Sequence, residues 1–220
     1  MFETFKTLDK ETTFAKIDRI IAENGLSDSS RHGYEAYGCT SASGLAAYNG
    51  EKFLKLREKF NGMTERNEDY YIKLYVLIVF AFNNQIRFNK KGQYNLPVGK
   101  RDFNKNMREK LSLFIDRLKN GDYRFENADF RELPNEDWDE KTFVYADPPY
   151  LITCATYNEQ DGWNEGLERE LHAYLDSLHE RGIRFALSNV LQTKGKKLLK
   201  GRRMVSGFNA CGIMAVAGRR

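Results

Sequence analysis

The chain is 220 residues long, 41% hydrophobic and 13% aromatic, enough to bury one sizeable core with a lobe added. A formal charge of +4 is too small for the whole molecule to attract a polyanion, so any nucleic-acid contact must come from local basic clusters. Three widely spaced cysteines (Cys39, Cys154, Cys211) without a CxxC pair argue against structural zinc and for a reducing cytosol, and the lack of a long apolar run argues against a membrane span or a secretion signal.

Residues 9–24 place Phe14, Ile17, Ile20 and Ile21 at helical spacing and close on Asn24-Gly25, which predicts a helix. Residues 26–50, LSDSSRHGYEAYGCTSASGLAAYNG, are rich in Gly, Ser and Tyr and keep no period. They read as an ordered loop or linker and as a candidate contact surface. Helices are predicted next over 51–61 and 67–82. The second opens on Asn67-Glu68-Asp69, a cap followed by acids that suit the positive end of a helix dipole, and its apolar run is broad enough to be buried on most sides. Asn104 opens another helix, with Met107, Leu111, Phe114, Ile115 and Leu118 on one face and Gly121 just past its end. The pattern then changes: residues 123–126, 142–146 and 183–188 read as strands, and 165–181 as a helix closed by Gly182. Strand, strand, helix, strand is the order of a parallel α/β sheet behind a helical N-terminal lobe.

The stretch TFVYADPPYLIT, residues 142–153, concentrates the chemistry. Two prolines stop a buried strand abruptly because they donate no ladder hydrogen bond, which leaves Asp147 at the strand's carboxyl end on a stiffened backbone. In open α/β sheets that edge gathers ligands and catalytic groups. The tetrapeptide Asp147-Pro148-Pro149-Tyr150 resembles the catalytic motif of DNA methyltransferases that modify an exocyclic amine of adenine or cytosine with S-adenosylmethionine. Such an amine is a poor nucleophile, because its lone pair is delocalised into the ring. A carboxylate and a backbone carbonyl that accept its two hydrogens rehybridise it towards the methyl group. The resemblance gives these roles to Asp147 and the Pro148 carbonyl, fixed geometry to Pro148 and Pro149, and a stacking surface for an extruded base to Tyr150. A strand-ending turn with an ordinary Asp is the plainer alternative.

Residues 82–104, FNNQIRFNKKGQYNLPVGKRDFN, set Arg87, Lys90, Lys91, Lys100 and Arg101 among amides and aromatics around a Lys-Gly turn, a composition that suits phosphate, base-edge and stacking contacts. A hairpin with a solvated basic face is the alternative. Together with the DPPY, this stretch resembles the target-recognition hairpin of class alpha adenine methyltransferases, the group that includes the GATC-specific DNA adenine methyltransferases. The resemblance implies an aromatic-Asn pair in Phe82-Asn83, a guanine reader in Arg87, and hairpin positions at Asn89, Asn95, Pro97 and Gly99, with Lys100 and Arg101 on the DNA. Gln85 and Lys100-Arg101 replace an apolar residue and an Arg-Tyr pair of that group, so GATC stays open as the target.

Further features agree with the resemblance. Asp129 in FENADF follows a predicted strand where related enzymes contact the cofactor adenine, with Phe130 beside it and Asp147 as a further cofactor neighbour; a plain strand-end Asp is as good a reading. ATYNEQDGW, residues 155–163, offers Tyr157 for stacking on a flipped base, with a plain exposed loop as the alternative, and FALSN, residues 185–189, resembles the next strand-end motif, with a plain strand-to-loop transition as the alternative. His32, His172 and His179 read as surface or helix-face residues. The resemblance covers residues 1 to about 195 and implies S-adenosylmethionine as cofactor, no metal, and double-stranded DNA as partner. The family's N-terminal strand and Phe-x-Gly-x-Gly turn do not occur, and YGCTSASG, residues 37–44, has glycines but no preceding apolar strand.

The expected fold is therefore α/β: a partial Rossmann-like methyltransferase sheet with a helical target-recognition lobe. Residues 1–121 form the lobe, 122–195 the catalytic half, and 196–220 an atypical tail. The expected function is adenine-specific DNA methylation of restriction-modification, phage or mobile-element type, in the cytoplasm and away from membranes, with a separate N-terminal polypeptide completing the cofactor site. A DNA-binding remnant that no longer catalyses is the rival.

Overall fold

The computed structural model describes residues 1–150 and 163–189, with the backbone of Gln192–Thr193 and Lys196–Lys197. The chain divides into two compact units, Met1–Phe125 and Glu126–Arg220.

The first unit is helical: α1 (Phe2–Thr7), α2 (Lys10–Glu23), α3 (Ser29–His32), α4 (Ala46–Asn61), α5 (Glu68–Phe80) and α6 (Lys105–Asn120), with 3-10 turns at Glu35–Tyr37 and Phe82–Asn84. Three of these helices start on a side-chain cap that satisfies an orphan backbone donor: Asp9 accepts from Thr12, Asn67 from Tyr70 and Asn104 from Met107. The broad apolar run of α5 is buried on most sides, through Ile72, Leu74, Val76, Leu77, Val79 and Phe80. Ile17, Ile20 and Ile21 of α2, Phe53, Leu56 and Phe60 of α4, and Leu111, Ile115 and Leu118 of α6 complete this core. Each such side chain contributes about 1.5–3 kcal/mol by leaving water.

Residues 26–50 are not the single loop expected. They hold α3 and a 3-10 turn, and α4 begins at Ala46 rather than residue 51, with Gly50 inside the helix. The cause is long-range. Asn49 is fully buried and bonds Ser27 twice, accepting from its backbone N at 2.9 Å and donating to its Oγ at 2.9 Å. Residues 123–126, expected as a strand, form none. Tyr123 and Phe125 do alternate as in a strand, but the Phe125 ring lies 4.9 Å from that of Phe2, and Lys6 takes the Tyr123 carbonyl at 2.9 Å. A strand exists only where a neighbour supplies a ladder, and here the segment is engaged by α1.

The second unit contains β1 (Phe143–Ala146), α7 (Glu165–Glu180) and β2 (Arg184–Leu187). β1 and β2 are parallel neighbours, with Val144 opposite Phe185 and Ala146 opposite Leu187. This is the strand-helix-strand unit the sequence predicts. Asn164 caps α7 by accepting from Leu167. Leu171, Leu175 and Leu178 of α7 form a small core with Ile183, against which Val144, Ala146, Phe185 and Leu187 pack from one face of the strand pair. The fold is thus a mixture of helices and a small parallel sheet. A short antiparallel pair, β3 (Gln192–Thr193) with β4 (Lys196–Lys197), follows; the rest of the expected tail lies outside the described residues. Among the described residues no helix is long and apolar enough to cross a membrane.

Candidate active site and nucleic-acid interface

The basic stretch of the first unit does form a hairpin. Ala81 bridges Val98 and Phe88 bridges Tyr94, both antiparallel, and the turn runs through Lys90 and Lys91 to Gly92 at φ +72°. The return strand carries the alternation that fixes it to the core: Tyr94 and Leu96 are buried, while Pro97 is exposed. Asn61 of α4 clamps the Tyr94 backbone, donating to its O at 3.1 Å and accepting from its N at 2.8 Å, and Arg57 donates to Leu96 O at 2.8 Å. Burial pushes the Tyr94 phenol pKa up, so it stays protonated and donates to Gln85 O at 3.0 Å.

The outgoing strand is left in solvent. Phe82, Ile86 and Phe88 are exposed large apolar side chains, and Asn83 and Asn84 both adopt positive φ, at 54° and 53°. Such a pair of left-handed residues costs backbone energy that asparagine tolerates better than most. Asn84 recovers some of it by donating to Val79 O at 2.8 Å at the end of α5. Arg87 reaches across the hairpin: its Nε donates to Asn95 Oδ1 at 2.8 Å and its Nη2 to Asn95 O at 3.2 Å. Asn89 points into the turn, its Oδ1 accepting from Lys91 N and Gln93 N at 2.9 and 3.0 Å. Gly99 is needed for a close approach, since a Cβ there would lie 2.4 Å from Ala81 O.

In the second unit Asp147 directly follows β1 and is exposed. Ser188 N donates to Ala146 O at 2.9 Å, which sets Ser188 beside it at the end of the neighbouring strand. The Tyr150 hydroxyl joins the two, donating to Asp147 Oδ1 at 3.1 Å and lying 2.7 Å from Ser188 Oγ. The two prolines, which lack N–H groups, hold Asp147 and Tyr150 at the carboxyl edge of the sheet. Asp129 lies earlier in the unit. Arg131 grips both of its oxygens, Nε to Oδ1 at 2.8 Å and Nη2 to Oδ2 at 2.9 Å, and this guanidinium holds the Asp129 carboxyl below its usual pKa. Phe130 packs its ring 6.2 Å from Trp163 and 5.8 Å from Tyr174. Tyr157, with Cys154 and Cys211, lies outside the described residues. Among the described residues no cluster of His, Cys, Asp and Glu could hold a metal ion.

Residues 20–212 match the family model described as D12 class N6 adenine-specific DNA methyltransferase. The chain belongs to this family. Among its relatives, a type II methyltransferase of Planomicrobium okeanokoites, M.FokI, is 35% identical over 201 residues, 89% of this chain and 27% of the relative. The modification methylase StsI of Streptococcus sanguinis is 39% identical over 165 residues, 71% of this chain and 24% of the relative. A DNA adenine methylase of Vibrio cholerae is 26% identical over 161 residues, 70% of this chain and 56% of the relative. The chain thus spans about a quarter of the length of the first two.

The D12 chain also holds a residue beside this strand edge that no motif announces. Glu168 of α7 is buried, and its carboxylate accepts from Trp163 Nε1 at 2.5 Å and from Asn189 Nδ2 at 2.6 Å, with His172 Nε2 at 3.6 Å. It thereby fixes the residue next to Ser188. The signal was present in the sequence, since an acid at 168 sits on the same helical stripe as Leu171, Leu175 and Leu178. Glu168→Ala should destabilise the fold by about 1–3 kcal/mol, because it takes a buried acceptor from two donors, and Glu168→Gln by less. Denaturant unfolding checks this, and an unchanged midpoint for the alanine variant contradicts the assignment.

Proposed function

We propose that this chain is the target-recognition and catalytic portion of a DNA adenine methyltransferase that modifies the exocyclic amine of adenine at a specific duplex site. The single observation that carries the reading is Asp147, exposed at the carboxyl end of β1, with Pro148 and Pro149 behind it and the Tyr150 phenol between it and Ser188. A carboxylate and the Pro148 carbonyl held on a stiff backbone can accept the two amine hydrogens of an adenine, which turns its lone pair towards an electrophile. The Tyr150 ring supplies a face for the extruded base. The names of the relatives, type II methyltransferase and modification methylase, favour a restriction-modification setting.

S-adenosylmethionine supplies an electrophilic methyl group. The residues here fit its adenine end: Asp129, ionised and held by Arg131, retains lone-pair capacity on Oδ2 for an amine hydrogen, with Phe130 beside it. For the donor's amino-acid end the sequence has no Phe-x-Gly-x-Gly turn. We assign that cradle to a further stretch of polypeptide, in the same chain or a partner, which would also extend the β1–β2 pair into a Rossmann-like sheet. Residues 1–121 then recognise duplex DNA, through Phe82, Asn83, Arg87, Asn95, Lys100 and Arg101, and residues 122–195 catalyse. Asn89 and Pro97 serve the hairpin's shape, and Tyr157 stacks on the base.

The test is to incubate the purified 220-residue chain, alone and with a polypeptide carrying the glycine turn, with labelled donor and adenine-containing duplex. Label on adenine is expected only in the mixture. DNA binding without label in either sample would support the rival reading, a binding module that does not catalyse. Label with the chain alone would mean that other residues build the donor site.

A further inference from the structure

Lys100 and Arg101, at the end of the hairpin, carry exposed side chains that form no hydrogen bond or ion pair among the described residues. Arg31 and Arg108 are instead paired, both with Asp18 and Asp28. The backbone beneath the two open cations is held from both sides. On one, Gly99 N donates to Phe80 O at 2.7 Å and Phe82 N to Pro97 O at 3.0 Å. On the other, Leu45 N donates to Lys100 O at 2.9 Å. Gly44, at φ +72°, runs so close that a Cβ there would lie 2.6 Å from Lys100 Cβ and 2.8 Å from its carbonyl oxygen.

One residue further on, Asp102 has no exposed surface. Its carboxylate accepts from Ser27 Oγ at 3.0 Å, from Ser29 N at 2.7 Å and from Ser29 Oγ at 2.7 Å. Ser27 is itself gripped by buried Asn49, and Arg108 donates to both Ser30 Oγ and Phe103 O at 3.2 Å. Desolvating a carboxylate is costly, and an apolar side chain would fill the same space at lower cost. A carboxylate does what an apolar side chain cannot, because three donors arriving from residues 27–29 fix both the distance and the register of the segment that bears it. The network ends at two open cations rather than at more core.

We propose that Asp102 is a positioning residue for duplex DNA. By tying the hairpin's end to Ser27 and Ser29, it holds the Lys100-Arg101 backbone in place before the duplex arrives, so that both cations meet backbone phosphates without an ordering step. This rests on the reading of the hairpin as a DNA interface.

Fluorescence anisotropy of a labelled adenine-containing duplex with the full chain, across a salt series, tests it. Lys100→Ala and Arg101→Ala should each weaken binding about fivefold near physiological salt and flatten the slope of log affinity against log salt by about one. Asp102→Asn keeps the shape but turns an acceptor into a donor facing other donors. It should reproduce most of the combined loss, about tenfold or more, and flatten the slope with it. Adding Arg101→Ala to Asp102→Asn should then cost little more, whereas Lys90→Ala at the turn should cost the same on either background. Gly44→Ala, which forces the seam apart from the other side, should behave like Asp102→Asn, and it carries the test together with Ser29→Ala if Asp102→Asn does not fold. If Asp102→Asn binds with the parental slope, or if Arg101→Ala costs as much in its presence, Asp102 serves the fold alone and the proposal falls. A parental chain that does not bind DNA removes the interface reading itself, and this proposal with it.

Discussion

Asp147→Ala lowers methyl transfer by on the order of a thousandfold in any assembly of this chain that methylates DNA, while DNA affinity stays within about twofold. The residue is exposed, so its truncation empties no core. Among the described residues its carboxylate accepts from the Tyr150 hydroxyl at 3.1 Å, itself also 2.7 Å from Ser188 Oγ, so the strand edge keeps a tie when the carboxylate is gone. On the proposed mechanism, what disappears is one of two acceptors for the amine hydrogens, and a single backbone carbonyl cannot turn the adenine lone pair out of its ring. Tyr150→Phe separates the two roles of that ring. It keeps a face for the base and removes the hydroxyl from Asp147 Oδ1, so its loss should be much smaller than that of Asp147→Ala. Single-turnover rates with labelled donor, beside an affinity measurement on the same variants, decide the matter. Substantial activity in Asp147→Ala would sink the mechanism.

What the sequence made legible was local. Helix starts could be read at Asn67 and Asn104 because a capping side chain acts within three residues, on Tyr70 and Met107. The strand-helix-strand order around Asp147 could be read because β-branched runs and the apolar stripe of α7 carry their own period. What escaped depends on partners distant in sequence. The short helix within residues 26–50 is tied at its start by Asp102, which lies 75 residues beyond Ser27 and 73 beyond Ser29. Residues 123–126 have the composition of a strand, but composition does not say whether a neighbouring backbone is there to pair with, and α1 claims the segment instead. The site divides in the same way. DPPY is contiguous and was visible, whereas Glu168 shows in the sequence only as an acid on the apolar stripe of α7, and its grip on Asn189 from 21 residues away does not show at all. The hairpin was visible as a composition, yet the inward turn of Asn89 and the pairing of Arg87 with Asn95 follow from the strand register.

That pairing makes Arg87 the sharpest test of target recognition. A guanidinium has five N–H donors arranged in a plane. Asn95 uses the edge formed by Nε and Nη2, at 2.8 and 3.2 Å. The remaining edge, Nη1 with the second Nη2 hydrogen, is the fork that matches O6 and N7 of guanine, and it has no partner among the described residues. On the proposed reading of the hairpin as a DNA interface, Asn95 therefore leaves Arg87 with the edge a base reader needs. Arg87→Ala should cost about 1–3 kcal/mol on the preferred duplex and relax preference at one base pair. Lys90→Ala, at the exposed turn, should weaken every sequence alike and flatten the salt slope by about one. Arg87→Lys sharpens the comparison, because it keeps the charge and loses the fork, so the salt slope should survive while the base preference goes. Asn95→Ala should loosen the same preference without removing a charge. Binding measured over a randomised duplex pool at two salt concentrations reads all four variants together. A loss for Arg87→Ala that is equal across the pool would make Arg87 one more phosphate contact.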